Sequence, residues 1–309
     1  MQEITGYLAP EGFLGDLLAE LGAAPLAVHD RLVLAEGPAR PLAWAENVWH
    51  APQTLKIASI KEGAKALRAM QRNWALYDFQ LHRRARLIQD QLPHVSAKPL
   101  PFPQPAPTAP LGSWTLIDAE TILAAPHCSS PFPNGAVQFV EDKAGPPNRA
   151  YLKLWEAFTQ LRRYPGPGSR CLDLGSSPGG WTWVMQQLGA DVVSIDKAPL
   201  DPAIARLPRI EYRRDSAFAV KPADIGALDW LCCDVICYPT RLLPMIRAWL
   251  ESGLVRNIVC TLKFQAETDH ATAAAFAAIP GGRLVHLHHN KHELTWLWPG
   301  PDRAAPEAA

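Results

Sequence analysis

The sequence predicts a doubly wound α/β domain with a mostly parallel, Rossmann-like sheet over residues 148–300, preceded by a smaller N-terminal α+β domain. Short apolar segments such as "CLDL", "DVVSID" and "RNIVCTLK" alternate after Asn148 with segments of helical spacing. Short apolar runs indicate buried strands, and apolar residues spaced three or four positions apart indicate helices. Strands joined by helices imply parallel βαβ units with right-handed crossovers, which gives the fold class.

The N-terminal elements precede a proline-rich stretch. The segment "EGFLGDLLAEL" has helical spacing, residues 64–89 form a long basic helix candidate, and residues 114–117 a strand candidate. Between the last two, residues 97–112 contain six prolines, which favour an extended polyproline conformation. This stretch is interpreted as a domain boundary, with a proline-rich ligand for a recognition module as the alternative. The predicted divisions are a domain at 1–96, a linker at 97–113, a connecting segment at 114–147, the α/β domain at 148–300 and a tail at 301–309.

The α/β domain is predicted to begin with the helix "NRAYLKLWEAFTQL", capped by Asn148, in which Lys153 lies off the apolar stripe. A helix from Trp181 follows the first strand and ends at Gly189, which is a typical stop residue. Two more helices, "RLLPMIRAWLES" and "TDHATAAAFAAI", alternate with the later strands, and "RLVHLHH" and "ELTWLW" close the sheet.

Composition indicates a globular protein. The 309 residues are 48% hydrophobic and 19% charged with zero net charge, and no run of 18 apolar residues or signal-like start occurs. We therefore expect a cytoplasmic location and no membrane association. Six cysteines, three of them within residues 232–237, are interpreted as reduced thiols in a core. Residues 56–98 carry nine Lys and Arg against three acids, a local excess of +6 that predicts a surface for a polyanion.

A glycine turn follows the first strand of the α/β domain. In "DLGSSPGGW", residues 173–181, the glycines let the backbone approach a ligand and adopt positive φ. In a doubly wound sheet such a turn lies at the carboxyl edge, where ligands bind. A dinucleotide fingerprint would read G-x-G-x-x-G, whereas this turn reads G-x-x-P-G-G, so a pyrophosphate is disfavoured.

Acids after the next two strands narrow the choice of ligand. Asp196 ends the second strand, where a carboxylate accepts ribose hydroxyls, and Asp215 follows the third strand and could meet an adenine amino group. An adenosine without a phosphate at the turn indicates S-adenosylmethionine. Alternatively, Asp173 only caps the turn and Asp196 only ends a strand. The candidate cofactor-binding residues are Asp173, Gly175, Ser176, Ser177, Pro178, Gly179, Gly180, Trp181, Asp196, Asp215 and Asp234.

The motifs "DLGSSPGGW", "SID", "RRDS", "CCDV", "CTLKF" and "HELTWLW" resemble, in order and spacing, those of FtsJ-like ribose 2′-O-methyltransferases. The likeness is strongest to the bacterial branch that methylates a cytidine of large-subunit ribosomal RNA, and it covers residues 146–298. It implies a methyltransferase sheet and a catalytic tetrad of Lys153, Asp234, Lys263 and Glu293. It also implies a THUMP-like N-terminal region, from the similar opening "APEGFLGDLLAEL".

Chemistry leaves two roles open for Lys263. A ribose hydroxyl becomes a good nucleophile only when its proton is taken, and a lysine that serves as base must have its pKa lowered by about three units, at a cost of ~4 kcal/mol. Lys263 is interpreted as this base in a transiently neutral form, or as an ammonium that stabilises the developing alkoxide. Asp234 would hold Lys263 and face the methyl group, and Glu293 would fix Lys153, which tunes or orients the site.

Three functions remain open: an RNA ribose methyltransferase, a methyltransferase of the same fold that acts on a small molecule or a protein, and a non-catalytic RNA-binding relative. No metal is expected, because four histidines at 286–292 and the cysteines at 232–237 lack paired ligand spacing. Trp181 and Trp183 are interpreted as packing residues. The expected partner is RNA, with the oligomeric state left open, and the candidate RNA-binding residues are Lys65, Arg68, Arg72, Arg83, Arg84 and Arg86.

Overall fold

The structure, a computed structural model, describes residues 3–301, so the predicted tail beyond Pro301 lies outside the described residues. The described chain divides into two compact units, one ending at Val140 and one starting at Glu141.

The first unit contains two small sheets and three helices. Its strands are β1 Ile4–Leu8, β2 Ala27–His29, β3 Leu32–Glu36, β4 Asn47–His50, β5 Gln53–Lys56, β6 Trp74–Leu76, β7 Gly112–Asp118, β8 Thr121–Ala125 and β9 His127–Cys128. Its helices are α1 Leu14–Leu21, α2 Ile60–Met70 and α3 His82–Gln89, with a 3₁₀ turn at Pro133–Gly135. The sheets have the orders β2-β3-β1-β4-β9 and β5-β8-β7-β6, so the unit is α+β as predicted.

The unit boundary differs from the predicted one. Strands β7 and β8 pair with β6 and β5, and β9 pairs with β4, so residues 112–128 complete the sheets of the first unit. The proline-rich stretch therefore crosses this unit as a connection between α3 and β7. Proline spacing indicates an extended chain, but the sequence does not encode which strands that chain joins.

The predicted helix over residues 64–89 is also interrupted. Helix α2 ends at Met70, and β6 pairs in parallel with β7 before α3 begins. Trp74 explains the break: its ring is buried in the core between α2, α3 and the sheet, and its indole N–H donates to the Leu67 carbonyl at 3.0 Å. Here tertiary packing outweighs the local helical preference.

The second unit has a seven-stranded sheet with helices between its strands. Its helices are α4 Tyr151–Leu161, α5 Gly180–Gln187, α6 Pro202–Ala205, α7 Pro222–Ile225, α8 Pro239–Ser252 and α9 His270–Ala277. Its strands are β10 Arg170–Leu174, β11 Asp191–Asp196, β12 Ile210–Arg214, β13 Leu228–Cys233, β14 Val255–Lys263, β15 Arg283–Val285 and β16 Glu293–Pro299.

The strand order is β12-β11-β10-β13-β14-β16-β15, with parallel pairing except at β16, which is antiparallel to both neighbours. The order reverses between β10 and β13, so a crevice forms at the carboxyl ends of these two strands. The predicted doubly wound, mostly parallel fold is confirmed.

Strand β15 is shorter than predicted, because it ends at Val285 and leaves the histidines at 286, 288 and 289 outside regular structure. The backbone N–H groups of His288 and His289 donate to the buried carboxylate of Glu156 instead of to a neighbouring strand, at 2.8 and 3.2 Å. A buried carboxylate is a strong hydrogen-bond acceptor. The alternation of apolar and polar residues, from which the longer strand was predicted, gives no sign of such a contact with a distant helix.

Candidate functional site

A cavity of about 450 Å³ lies at the carboxyl edge of the sheet in the second unit. Its walls come from the glycine turn after β10, from Asp196 at the end of β11 and from residues 215–218 after β12. The segment that starts at Asp234, after β13, and Lys263, at the end of β14, complete it. Strand order thus brings together residues that are up to 115 positions apart in the sequence, Asn148 and Lys263 being the two extremes.

Three glycines of the turn occupy positions where a side chain would not fit. Gly175 has a φ of +76°, and an added Cβ would lie 2.7–2.9 Å from atoms of Val235. Gly179 has a φ of +117°, and a Cβ on Gly180 would lie 2.4 Å from Oδ1 of Asn148. The turn can therefore press its backbone against the segment after β13 and against the chain before α4.

Asp173 lies behind the turn instead of in the cavity wall. It is fully buried, and one carboxylate oxygen accepts from the Thr182 hydroxyl at 2.6 Å. Burial raises the pKa of Asp173 to about 7, despite the Thr182 hydrogen bond, and the nearby Asp234 and Asp196 carboxylates act in the same direction. Asp173 is therefore an internal support of the turn, which was one of the two interpretations from sequence.

The other predicted turn residues divide between the wall and the core. Ser177 lines the cavity, whereas the Ser176 side chain is buried and its hydroxyl has no hydrogen-bond partner within residues 3–301. The carbonyl of Pro178 accepts from Asp201 N–H at 2.9 Å. Trp181 is 3% exposed and its indole N–H donates to the Ala150 carbonyl at 2.9 Å, so its role is to join α5 to the start of α4.

Besides Asp234, two predicted acids lie in the cavity wall. Asp196 accepts from the backbone N–H of Ser177 at 3.0 Å and from that of Ala198 at 2.9 Å, which fixes its carboxylate beside the glycine turn. Asp215 accepts from Ser216 N–H at 2.6 Å. Each carboxylate keeps lone pairs that can accept from a ligand hydroxyl or amino group.

Lys153, Asp234, Lys263 and Glu293 form one connected cluster. The Lys153 ammonium lies 3.0 and 3.1 Å from the two carboxylate oxygens of Asp234, and 3.1 Å from Oε1 of Glu293. The Lys263 ammonium donates to the main-chain carbonyl of Asp234 at 2.7 Å and lies 3.2 Å from Oδ1 of the same residue. Asp234 therefore contacts both lysines, and Glu293 contacts Lys153.

The two lysines have different surroundings. Lys153 is 7% exposed and lies outside the cavity wall, whereas Lys263 lines the cavity with Asp234. Burial alone would lower the pKa of Lys153, but the carboxylates of Asp234 and Glu293 outweigh it and raise the pKa above its usual value. Lys153 is therefore a fixed ammonium, and Lys263 is the amine that can meet a bound molecule.

Glu293 reaches this cluster because β16 runs antiparallel to β14. The first residue of β16, Glu293, pairs directly with the last residue of β14, Lys263. Side chains opposite each other in such a pair lie close together on one face of the sheet. The chain therefore forms the edge strand β15 first, and only then places β16 between β15 and β14, which brings Glu293 to the cluster.

Some residues of the site were not found from the sequence. Asn148 was predicted to cap α4, but this helix begins at Tyr151 and its N-cap residue is Ala150. Asn148 instead lines the cavity, and its side chain accepts from Ala150 N–H at 3.1 Å. Arg241, which also lines the cavity, holds its guanidinium 3.9 Å from the ring centre of Phe218. The pair joins two segments 23 residues apart, and no local pattern signals it.

Glu156 was likewise missed. It is 3% exposed and lies one helical turn after Lys153, and its carboxylate also lies 2.9 Å from Nδ1 of His289. Together with the backbone bonds from residues 288 and 289, this contact ties α4 to the segment that leads into Glu293. Helix α4 therefore positions both Lys153 and the segment that precedes its partner, Glu293.

No three His, Cys, Asp or Glu side chains within residues 3–301 are arranged to hold a metal ion. Cys232 and Cys233 lie in the core, with the thiol of Cys232 fully buried, and burial raises its pKa well above the usual value. In the same described part of the chain, no helix is both long and apolar enough to cross a membrane.

Residues 146–272 match the family model described as FtsJ-like methyltransferase, which confirms the resemblance found in the sequence. The relatives that match this chain include several named Ribosomal RNA large subunit methyltransferase M. The one from Halorhodospira halophila is 36% identical over 48% of this chain and 46% of its own length. Those from Alkalilimnicola ehrlichii and Marinobacter nauticus are 32% and 34% identical over 57% and 58% of this chain, and over 51% and 55% of their own lengths.

This chain spans about half the length of the curated relatives it matches. Among solved structures, the fibrillarin pre-rRNA processing protein of Methanococcus jannaschii aligns with 60% of this chain and 82% of its own, at 16% identity and a TM-score of 0.39. Since this score is low, the fold assignment rests on the strand order described above.

Proposed function

We propose, on the premise that residues 146–272 form an FtsJ-like methyltransferase domain, that this chain transfers a methyl group from S-adenosylmethionine to a ribose 2′-hydroxyl of ribosomal RNA. The observation that carries the proposal is the cluster of Lys153, Asp234, Lys263 and Glu293 beside a cavity at the switch point of the sheet. The family match and the names of the curated relatives support the choice of reaction and substrate.

The cavity suits S-adenosylmethionine. Its volume of about 450 Å³ lies in the range of ~300–1,000 Å³ that is usual for small-ligand sites. Gly175 and Ser177 would offer backbone and side-chain contacts, Asp196 would accept the ribose hydroxyls, and Asp215 would accept from the adenine amino group. Asp173, Ser176, Pro178, Gly179, Gly180 and Trp181 would contribute by holding the turn in shape.

The bound cofactor would supply an electrophilic methyl group on a sulfonium. The protein would orient a ribose hydroxyl in line with that methyl group, and Lys263 would accept the hydroxyl proton in a transiently neutral form. Asp234 would hold the Lys263 amine through its main-chain carbonyl and carboxylate, and would face the methyl group.

Lys153 would act through charge instead of proton transfer. Its raised pKa keeps it protonated, so its ammonium balances Asp234, while Glu293 fixes its position. A protonated Lys263 that stabilises the alkoxide is the second candidate for this step, because its amine lies at the same wall in either state.

The first unit offers a basic surface for RNA. Helices α2 and α3 contact each other and carry, on themselves or just beyond, six candidate residues. Five of these are exposed and Arg84 is half-buried; the six are Lys65, Arg68, Arg72, Arg83, Arg84 and Arg86. Exposed Lys and Arg side chains neutralise phosphates and release counterions, which drives sequence-independent binding. We propose this surface as the RNA contact of the N-terminal unit, and the cytoplasm as the location of the protein, where ribosomal RNA would be its substrate.

The test is methyl transfer from radiolabelled S-adenosylmethionine to large-subunit ribosomal RNA from a strain that lacks the gene. Mass spectrometry of digested nucleosides should detect one gained 2′-O-methyl nucleoside. Lys263→Ala should lose at least 100-fold in kcat, because removal of a positioned general base costs about 10²–10⁴-fold, and should keep its cofactor affinity.

The matched control is Lys143→Ala, which removes an exposed lysine of the same unit that lies outside the cavity wall. It should retain full activity. Turnover by Lys263→Ala close to that of the control would refute the assigned role. Transfer to a protein or small molecule, with none to RNA, would overturn the proposed substrate.

A further inference from the structure

The segment after Asp234 exposes apolar side chains beside the proposed reaction site. Ile236 is 78% exposed and Tyr238 64% exposed, which are the two highest values among the large hydrophobic side chains of residues 3–301. The next is Val140 at 54%. Large apolar groups that remain in water next to a functional cavity are typical of contact surfaces.

The local backbone fixes this exposure. Asp234 N–H donates to the Leu174 carbonyl at 3.0 Å, and Val235 lies against Gly175 of the glycine turn. Cys237 is 7% exposed, so the side chains of residues 235 and 237 turn inward while those of 236 and 238 turn outward.

The far end of the segment is anchored by α8. The Tyr238 carbonyl accepts from Arg241 N–H at 3.0 Å, and the buried Pro239 opens the helix. Tyr238 is therefore held in an extended backbone conformation immediately before a helix. The two outward side chains, Ile236 and Tyr238, are held at a fixed spacing, and we call them the apolar rim.

The apolar rim is continuous with the proposed reaction site. Ile236 lines the same cavity as Asp234 and Lys263, and Tyr238 follows two residues later. A ribose whose 2′-hydroxyl meets Lys263 carries its base on the adjacent carbon, so that base would lie in or beside the cavity that Ile236 lines. The base is the part of the substrate with an apolar face.

The charges around the apolar rim suit the same occupant. Arg241 lies three residues after Tyr238, with its guanidinium over Phe218, and Lys197 also lines the cavity. A flat apolar surface beside cations matches an unpaired nucleotide, which combines a stacking face with a phosphate.

We propose that the apolar rim, Ile236 and Tyr238, binds the unpaired base of the nucleotide to be methylated, with Tyr238 as the stacking residue. This inference rests on the proposed function and deepens it. The substrate would then be an unpaired or flipped-out nucleotide, because a base within a duplex has no free face to offer.

The test compares Tyr238→Ala, Tyr238→Phe and the wild-type protein on large-subunit ribosomal RNA from the deletion strain. Loss of one stacked base corresponds to about 5- to 150-fold, so Tyr238→Ala should raise KM for RNA by at least 5-fold. Tyr238→Phe should stay within about 2-fold of the wild type, since the ring is kept. Affinity for S-adenosylmethionine, measured by calorimetry, should be unchanged in both.

A synthetic oligonucleotide that spans the methylated position, with and without its target base, makes the test specific. Removal of the base should weaken binding to the wild type by at least 5-fold and should cost Tyr238→Ala nothing further. The matched control is Tyr164→Ala, which removes a 47% exposed tyrosine of the same unit outside the cavity wall and should behave as the wild type does.

An unchanged KM for RNA in Tyr238→Ala would overturn the inference while leaving the proposed function intact. A loss of cofactor affinity in that variant would assign the apolar rim to the cofactor's adenine and overturn the inference as well. If the wild-type protein itself transfers no methyl group to RNA, the proposed function fails, and the inference fails with it.

Discussion

Replacing Asp173 with asparagine should change how the stability of the second unit depends on pH. Asp173 is fully buried, and its pKa is raised from 3.8 to about 7, chiefly by burial. The folded state therefore keeps a proton that the unfolded state releases. The stabilisation from this proton is complete below the unfolded pKa, declines as the pH rises, and is lost above the folded pKa.

The magnitude follows from the part of the pKa difference that the assay covers, from pH 5 to the folded pKa of about 7, at ~1.4 kcal/mol per pH unit. Between pH 5 and pH 8, the free energy of unfolding of the wild type should fall by about 2–3 kcal/mol relative to Asp173→Asn, which has no such proton to lose. Asparagine keeps an oxygen that can accept from Thr182, so the comparison isolates the charge.

The assay is urea unfolding of both proteins at intervals from pH 5 to pH 8, followed by tryptophan fluorescence. Asp191→Asn, an exposed aspartate at the start of β11, is the matched control and should run parallel to the wild type. If the difference between Asp173→Asn and the wild type is constant across this range, Asp173 is ionised throughout, and the reasoning from burial is wrong.

Two further predictions concern binding. Asp196→Ala should abolish measurable S-adenosylmethionine binding in calorimetry, while circular dichroism shows an intact fold. The reason is that the Asp196 carboxylate both faces the cavity and accepts from the Ser177 N–H. Wild-type affinity in this variant would refute the assignment. Reversal of Arg83, Arg84 and Arg86 to glutamate should weaken RNA binding and flatten its log–log dependence on salt, by about 0.7–0.9 per lost phosphate contact. An unchanged slope in that triple variant would move the RNA surface elsewhere.

Two members of the cluster, Asp234 and Lys263, could be singled out from sequence patterns because of where they fall along the chain. Asp234 and Lys263 each end an apolar segment, and the carboxyl ends of parallel strands must meet at one edge. The resemblance to FtsJ-like proteins then supplied Lys153 and Glu293, whose local patterns are those of ordinary helix and strand residues. The structure brings all four within hydrogen-bond reach of a partner.

Long-range contacts account for what the sequence did not reveal. Residues 112–128 belong to the first unit because of strand pairing across tens of residues, and proline content indicates only local extension. The interruption of the predicted helix at Trp74 arises from the partner strand β7. Arg241 on Phe218 and Glu156 beneath residues 288 and 289 also connect distant segments, so no periodicity in a single window identifies them.

The antiparallel pairing of β16 with β14 determines how the second unit can be expressed on its own. The family match stops at residue 272, which is 21 residues short of Glu293. A fragment trimmed to that match would lose the carboxylate that fixes Lys153, and it would leave β14 as a bare outer strand, open to aggregation. The smallest useful expression fragment of this unit must therefore extend through Pro299, the last residue of β16.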